Sequence, residues 1–340
     1  MLDEPTAALT DQETEGLFEI IKKLTGEGKS VIFISHKMRE VMRISDRVTI
    51  LRAGETVETV DIHDVTGEEL ANKMIGREMK ASQYAKAESS GAVVAALDHI
   101  CYHKNSKHNG LNDVSMSIRR GEVVGIAGVD GNGQSQLALL LTGNIVPEEG
   151  TVDLKGSRVT CFDPNSFIKE NVGHIPEDRN KAGLVGSMSV ADNLVLNSTQ
   201  EKRFSYRDGL YLKKKAIGQY ALEMRKKYDI HCASSDQEAR NLSGGNQQKV
   251  ILARVLEASP DLLVAVHPTR GLDIGAAGFI HDAMIAQRDQ DKGILLISAD
   301  FDEILEVSDR ILVMFEGRIM GEYSGKNPPV EEISMAMAGK

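Results

Sequence analysis

The most informative segment of the chain is Asn241-Leu242-Ser243-Gly244-Gly245-Asn246-Gln247-Gln248-Lys249, which predicts the start of a helix. A serine before two glycines supplies a capping hydroxyl and backbone N–H groups that no side chain shields. The positive end of the helix dipole favours an anion there, so the segment is suited to grip a phosphate presented by another domain. The alternative is a turn that only caps a helix, and the specific octet from Leu242 to Lys249 disfavours it.

A second glycine-rich segment lies closer to the N terminus and reads Gly128-Val129-Asp130-Gly131-Asn132-Gly133-Gln134-Ser135. It matches the phosphate-binding pattern G-x-x-x-x-G-K-[ST] except that Gln134 replaces the lysine. In such a loop backbone N–H groups surround the phosphates, and the serine hydroxyl reaches Mg²⁺. A tight strand-to-helix turn is the alternative. The predicted strand 122–127 before the loop and the predicted helix 133–141 after it favour a phosphate site.

The apolar periodicity around these segments predicts alternating strands and helices, and therefore an α/β sheet with parallel character. The predicted elements before the loop are helix 11–25, strand 30–35, helix 37–44 and strand 47–52, which turns into another strand. After the loop we expect a mostly helical insertion over 187–240, with long charged helices such as 213–227, and strands 261–266 and 294–298. Residues 77–92 lose all periodicity. The predicted organisation is a first unit 1–76, a linker 77–92 and a second unit 93–340.

Residues 3–76 and 266–339 form a repeat at a constant offset of 263 without a gap. The shared positions include Pro5-Thr6 with Pro268-Thr269, Asp46-Arg47 with Asp309-Arg310, and Gly76 with Gly339. The copies differ mainly where phosphate chemistry would be done: Asp3 corresponds to Val266, Glu4 to His267 and His36 to Ala299. The repeat predicts two phosphate-handling copies, of which the first keeps reactive groups that the second has lost.

The segment Leu242–Lys249 resembles the signature of ATP-binding cassette (ABC) transporter ATPases, and its NQQK continuation is similar to importers of simple sugars and nucleosides. Other segments resemble the family at matching spacing. They are Asp3-Glu4-Pro5-Thr6 (Walker B), Ala8-Leu9-Thr10-Asp11 (D-loop), His36 (switch), Pro176-Glu177-Asp178-Arg179 (Q-loop region) and Thr269-Arg270-Gly271-Leu272-Asp273 (D-loop). The loss of both Walker B acids in the second copy is closest to the nucleoside type. The resemblance implies a P-loop NTPase core with an antiparallel β subdomain and a helical subdomain, as one complete cassette after the C-terminal part of another.

The resemblance also implies the site residues, with ATP and Mg²⁺ as cofactors. The resemblance assigns catalysis to Glu4, which would polarise the attacking water, and to His36, which would sense the γ-phosphate. Mg²⁺ would be held by Asp3 in the first copy and by Ser135 in the second. The residues expected to bind ATP are Gly128, Gly131, Asn132, Gly133, Gln134, Ser135, Gln136, Ser243, Gly244, Gly245 and Gln247.

His267 occupies the position of the catalytic glutamate and has two interpretations. Its near-neutral pKa would suit a general base. However, Val266, Gln134 and Ala299 all lack the groups that such a site needs, so a structural role is favoured.

The first copy departs from the family because the chain begins just before Asp3. In the second copy Gly128 precedes Val266 by 138 residues. The first copy's own P-loop and signature would therefore precede Met1, which we expect to be a misplaced start or the end of a truncation. The hydrolytic site would need that P-loop together with Asp3, Glu4 and His36, facing Ser243–Gly245. We expect negligible ATP hydrolysis by this chain alone.

The composition limits the class of partner. The 340 residues carry a net charge of −10, which argues against nucleic acid, and their three cysteines form no metal-spaced pair. No apolar run approaches the roughly 20 residues that span a bilayer. We expect a peripheral protein at the cytoplasmic face of the membrane, with two permease subunits and, indirectly, a substrate-binding protein as partners. The alternatives are a non-hydrolysing nucleotide-binding module and, less favoured, a soluble tandem ATPase that acts on nucleic acid or ribosomes.

Overall fold

A computed structural model describes residues 1–3, 5–6, 11–35, 38–52, 55–67, 69–70, 73, 84–87, 91–103, 110–207 and 210–339. Contacts divide the chain into two compact units, Met1–Gln83 with Asp273–Gly275, and Tyr84–Leu272 with Ala276–Lys340. Each unit buries its own set of apolar side chains. Within the described part of the chain, no helix combines the length and apolar character that a bilayer crossing requires.

Besides a short 3-10 helix (Ile62–Asp64), the structure gives bounds for four strands and two α-helices of the first unit. They are β1 (Leu2–Asp3), α1 (Asp11–Gly26), β2 (Phe33–Ile34), α2 (Met38–Ile44), β3 (Arg47–Arg52) and β4 (Glu55–Asp61). Strands β1 and β2 pair in parallel, and β3 pairs with β4 antiparallel. The predicted strand 30–35 is wrong in length, because the structure has a strand at Phe33–Ile34, paired with Leu2–Asp3.

The second unit begins with two strands of an antiparallel sheet and then enters the parallel sheet. Its elements up to the signature are β5 (Val93–Tyr102), β6 (Leu111–Arg119), β7 (Val123–Ala127), α3 (Gln134–Leu140), β8 (Glu149–Leu154), β9 (Ser157–Arg158), α4 (Pro164–Lys169), β10 (Val172–Ile175), α5 (Val190–Leu194), β11 (Ser205–Tyr206), β12 (Tyr211–Leu212) and α6 (Lys214–Lys227). The remaining elements are α7 (Gly244–Leu256), β13 (Leu262–Val266), α8 (Ile274–Arg288), β14 (Gly293–Ile297), α9 (Phe301–Val307), β15 (Arg310–Phe315), β16 (Arg318–Ser324) and α10 (Val330–Met337).

The central sheet of this unit has six strands in the order β10-β13-β14-β7-β15-β16, and only β16 runs antiparallel to its neighbour. Successive residues of its strands point to opposite faces, so Val123 and Ala127 join the core on the helical side. Val124 and Ile126 join the other core, with α3 and the antiparallel sheet β6-β5-β8-β9. This arrangement confirms the predicted α/β core with an antiparallel β subdomain.

The insertion over 187–240 is less helical than predicted. It contains one long helix, α6, where several were expected, and a two-stranded hairpin in which Tyr206 pairs with Tyr211. The sequence carried a signal for that hairpin, because Asp208-Gly209 between aromatic residues is typical of a two-residue turn.

The predicted linker reaches the second unit through residues 84–87. Ala87 donates its backbone N–H to Asp309 Oδ1 (2.6 Å), and Lys86 donates to the carbonyl of Leu305 at the end of α9 (2.8 Å). The domain boundaries at 76 and 92 stay a prediction.

Candidate functional site

The glycine-rich loop 128–133 lies between the buried strand β7 and the N terminus of α3. Gly131 and Gly133 have φ angles of 90° and 105°, which favour glycine. A Cβ on Gly128 would lie 2.5 Å from the carbonyl oxygen of Met314, so this position admits no side chain. The first turn of α3 leaves backbone N–H groups without intrahelical partners, and these N–H groups can bind an anion.

Gln134, which replaces the P-loop lysine, is buried and uses both ends of its amide within the loop. Its Oε1 accepts the N–H of Asn132 at 3.0 Å, and its Nε2 donates to the carbonyl of Val129 at 3.0 Å. The side chain therefore stabilises the backbone conformation of the loop. It also occupies one of the backbone donors that a phosphate would otherwise use.

Ser135 is exposed at the start of α3, and its hydroxyl donates to Glu177 Oε2 at 3.3 Å. Glu177 also accepts from Arg270 NH1 at 3.3 Å. A hydroxyl and a carboxylate are oxygen ligands of the kind that Mg²⁺ takes in sites completed by phosphates. The pair fits Mg²⁺, although Val266 adds no third ligand. Gln136 is half-buried in the same turn.

His267 is buried, with an unusual φ of 44°, and hydrogen bonds fix its ring. Its Nδ1 accepts the backbone N–H of Ala299 at 3.1 Å, so the proton of the neutral ring lies on Nε2, which is 3.7 Å from Asp130 Oδ1. Burial lowers the pKa of this imidazole more than the nearby Asp130 carboxylate raises it. Nε2 carries the proton and the lone pair of Nδ1 is engaged by the N–H of Ala299, so neither ring nitrogen is free to accept a proton from water, which supports the structural role.

Ser243 caps α7, as the sequence predicts for the signature. Its Oγ accepts from Asn246 Nδ2 at 2.9 Å, and Asn246 Oδ1 in turn accepts the N–H of His231 at 2.7 Å. Ser243 Oγ also accepts the backbone N–H of Asn246 at 3.5 Å, and because it is the acceptor in both bonds, the Ser243 hydroxyl proton stays available for a ligand. Asn246 is thus a positioning residue that sequence reasoning missed.

Gly244 lies under the guanidinium of Arg179. A Cβ on Gly244 would be 2.7 Å from Arg179 NH2, and Arg179 NH1 donates to the carbonyl of Arg270 at 3.2 Å. One side chain therefore links the signature, the segment 176–179 and the segment 269–273. The sequence identified all three segments but gave no sign of this contact, since 65 residues separate Arg179 from Gly244.

Gln247, which the sequence groups with the phosphate-binding residues, is buried. Its Nε2 donates to the carbonyl of Ala239 at 3.2 Å. Lys249 is also buried, and its Nζ bonds the Asp229 carboxylate at 2.8 Å. These side chains of the NQQK continuation are committed to packing within the second unit.

Of the site residues predicted for the first copy, the structure describes Asp3, the predicted ligand of Mg²⁺. Asp3 ends strand β1, is exposed and pairs with Ile34 in the register of β2. Glu4 and His36 lie outside the described residues.

A family model described as ABC transporter matches residues 111–270. The chain is 42% identical over 339 residues to the guanosine import ATP-binding protein NupO of Bacillus subtilis, covering all of this chain and 66% of that protein. It is 39% identical over 339 residues to the nucleoside import ATP-binding protein NupA of Lactococcus lactis, covering 67% of that protein. The ribose import ATP-binding protein RbsA of Streptococcus agalactiae is 36% identical and is covered to 67%.

Solved structures agree on the fold. A nucleotide-free ATP-binding cassette from an ABC transporter superposes with a TM-score of 0.59 at 22% identity, covering 73% of this chain and 96% of that one. The ADP conformation of the cassette MJ1267 gives a TM-score of 0.58 at 22% identity, covering 72% of this chain and 99% of that one. The chain spans about two thirds of the length of the import proteins it matches, with 66% and 67% of the first two covered.

Proposed function

The chain belongs to the ATP-binding subunits of ABC transporters, and on that premise we propose that it energises the import of a nucleoside or simple sugar. The relatives named for guanosine and nucleoside import favour the nucleoside. In this proposal MgATP is hydrolysed with the help of first-copy residues, where Asp3 holds the metal, Glu4 polarises water and His36 senses the γ-phosphate. The signature at Ser243–Gly245 supplies anion-binding N–H groups.

The second copy binds nucleotide without hydrolysing it. The observation that carries this assignment is the pair of internally bonded side chains at its two key positions, Gln134 and His267. Gln134 brings no charge to the phosphates, and the Nδ1 lone pair of His267 is engaged by Ala299 and so is not free to activate water. The loop backbone and the helix terminus still provide donors. When bound, Mg²⁺ would be held by Ser135 and Glu177 and would neutralise phosphate charge.

The partners proposed are two membrane permease subunits and, through them, a substrate-binding protein. The ATP-binding subunit would then lie peripherally at the cytoplasmic face of the membrane. Nucleic acid is not among the proposed partners.

Binding of MgATP to the purified chain, followed by calorimetry, tests the nucleotide site. Gly131→Asp places a carboxylate in the loop and should abolish binding, because like charges oppose each other in the cradle. Gly156→Asp is the matched control, since Gly156 also has a positive φ (76°) but faces open space. The proposal fails if the unaltered chain binds no MgATP, or if Gly131→Asp binds as well as Gly156→Asp. Vanadate-sensitive turnover by a protein that also carries a complete first copy, co-purified with a permease pair, tests the transport role.

A further inference from the structure

The hairpin β11–β12 carries the exposed apolar side chains of the insertion 187–240 at high density. Tyr206, Leu210, Tyr211 and Leu212 are 61%, 66%, 60% and 44% exposed. Tyr206 and Tyr211 are directly paired across the two strands and so share one face, the apolar face, whereas Leu212 pairs with Ser205 and lies on the other face of the hairpin. Soluble surfaces rarely gather four large apolar side chains in so short a segment, and such patches mark interaction sites.

Contacts of the residues at both ends of the hairpin hold it in the second unit. Phe204, just before β11, is 2% exposed and packs edge-on against Tyr220 with ring centroids 4.9 Å apart. Lys213, just after β12, donates its N–H to the carbonyl of Phe204 at 2.8 Å. The Lys213 ammonium also lies 4.2 Å from the centre of the Tyr206 ring. The exposed face is therefore held in place by its two ends.

The same segment is strongly basic in an acidic protein. Residues 200–215 contain two acidic residues, Glu201 and Asp208, and six basic ones, Lys202, Arg203, Arg207, Lys213, Lys214 and Lys215, whereas the whole chain has 50 acidic and 40 basic residues. Arg203 pairs with Glu201. Among the described residues no carboxylate lies within ion-pair distance of the exposed cations Lys202, Arg207, Lys214 and Lys215, which leaves a positive rim beside the apolar face.

We propose that this basic hairpin, residues 202–207 and 210–215, contacts the anionic surface of a lipid membrane. Tyrosine rings and leucines enter the headgroup region, while lysine and arginine meet the lipid phosphates. Nucleic acid would also attract the cations. Its bases would stack on the tyrosines, but binding to nucleic acid would not explain why Leu210 and Leu212 are exposed. Each basic residue near an anionic bilayer strengthens partitioning about fivefold.

Co-sedimentation of the whole chain with vesicles tests the proposal. We expect binding to phosphatidylcholine vesicles that contain about one third phosphatidylglycerol, little binding to pure phosphatidylcholine, and loss of binding in high salt. Lys214→Gln with Lys215→Gln should lower the partition coefficient about 25-fold. Lys214→Arg with Lys215→Arg should preserve it. Leu210→Ser with Tyr211→Ser should also lower the partition coefficient. All these side chains are exposed, so the substitutions should leave the fold unchanged.

Lys326→Gln with Val330→Ser is the matched control, because it removes an exposed lysine and a 46% exposed aliphatic side chain outside the hairpin. That variant should bind vesicles as the unaltered chain does. The proposal is overturned if the unaltered chain ignores anionic vesicles, or if the hairpin and control variants bind alike. Hairpin-dependent binding of a single-stranded oligonucleotide that is tighter than vesicle binding would overturn it in favour of nucleic acid.

Discussion

Thr6 donates a hydrogen bond to Glu40 Oε2 at 2.6 Å, across 34 residues of sequence. At the offset of 263, Thr269 donates to Glu303 Oε1 at 2.8 Å, so both copies contain this pair, buried in the first copy and partly buried in the second. The register shift between Ile50 and Leu51 in β3 likewise recurs between Val313 and Met314 in β15. The repeat seen in the sequence is thus a repeat of packing and of hydrogen bonding.

In the second copy, Glu303 of the shared Thr–Glu pair has an additional partner, His281. His281 lies 2.8 Å from Glu303 Oε1, at the position that Phe18 holds in the first copy. Burial lowers the pKa of His281, but the hydrogen bond and the charge of Glu303 raise it more, and the net direction is upward. Burial raises the pKa of Glu303, but the His281 bond and charge hold it below its usual value.

We predict that His281→Phe, which restores the first-copy residue, destabilises the second unit by about 1–3 kcal/mol near pH 6, because it removes a charged partner from a buried carboxylate. The raised histidine pKa contributes stability that is lost as pH rises through that pKa. The lowered glutamate pKa contributes stability that is lost as pH falls through it. The difference in Tm between unaltered chain and variant should therefore be greatest in mildly acidic buffer and smaller at pH 9. Asp113 also raises the pKa of His99, but both side chains are exposed and solvent screens the pair, so His99→Phe should show a much weaker pattern.

Gln134→Lys should tighten MgATP binding about ten- to a hundredfold, because it adds a charge-assisted contact and releases the N–H of Asn132 for the phosphates. Hydrolysis should not begin, since His267 still cannot accept a proton. Calorimetry and phosphate release measure the two effects. Gln290→Lys, at an exposed glutamine outside the loop, is the control. Equal affinity of Gln134→Lys and the unaltered chain would show that the loop is no phosphate cradle.

Ser135→Ala should weaken ATP binding in Mg²⁺ and leave binding in EDTA nearly unchanged, because only the metal uses the hydroxyl. Glu177→Gln should act in the same direction. Affinities measured with and without Mg²⁺ separate a contact that Ser135 makes through the metal from one that it makes with the nucleotide itself. Ser334→Ala, on the exposed side of α10, should alter neither. An identical loss with and without the metal would place Ser135 on the nucleotide itself.

Gly244→Asp should collapse turnover in a protein that carries a complete first copy, because its carboxylate would repel the γ-phosphate at a cost of several kcal/mol. The new side chain would also displace Arg179, which lies 2.7 Å from the Cβ position. Gly131→Asp, in the non-hydrolytic loop, should retain much of the turnover. The assignment of the two sites is reversed if Gly131→Asp is inactive and Gly244→Asp is active.

His267→Ala should leave the MgATP affinity of the chain, and the turnover of a protein that carries a complete first copy, within about twofold, since the ring has a structural role. Its effect should appear in Tm, because the N–H of Ala299 loses a buried acceptor at about 1–3 kcal/mol. A large fall in turnover at unchanged Tm would instead make His267 a participant in catalysis.

The sequence by itself determined the family, the loop 128–135, the signature 241–249 and the repeat, because each depends on residue types at short or constant spacing. Glu4 and His36 remain predictions of the sequence. Tertiary structure alone decided that Gln134 bonds back onto its loop, that Ala299 fixes the tautomer of His267, and that Arg179 covers Gly244. Those contacts depend on side-chain direction and on residues that folding brings together from distant segments, and no periodicity or spacing encodes either.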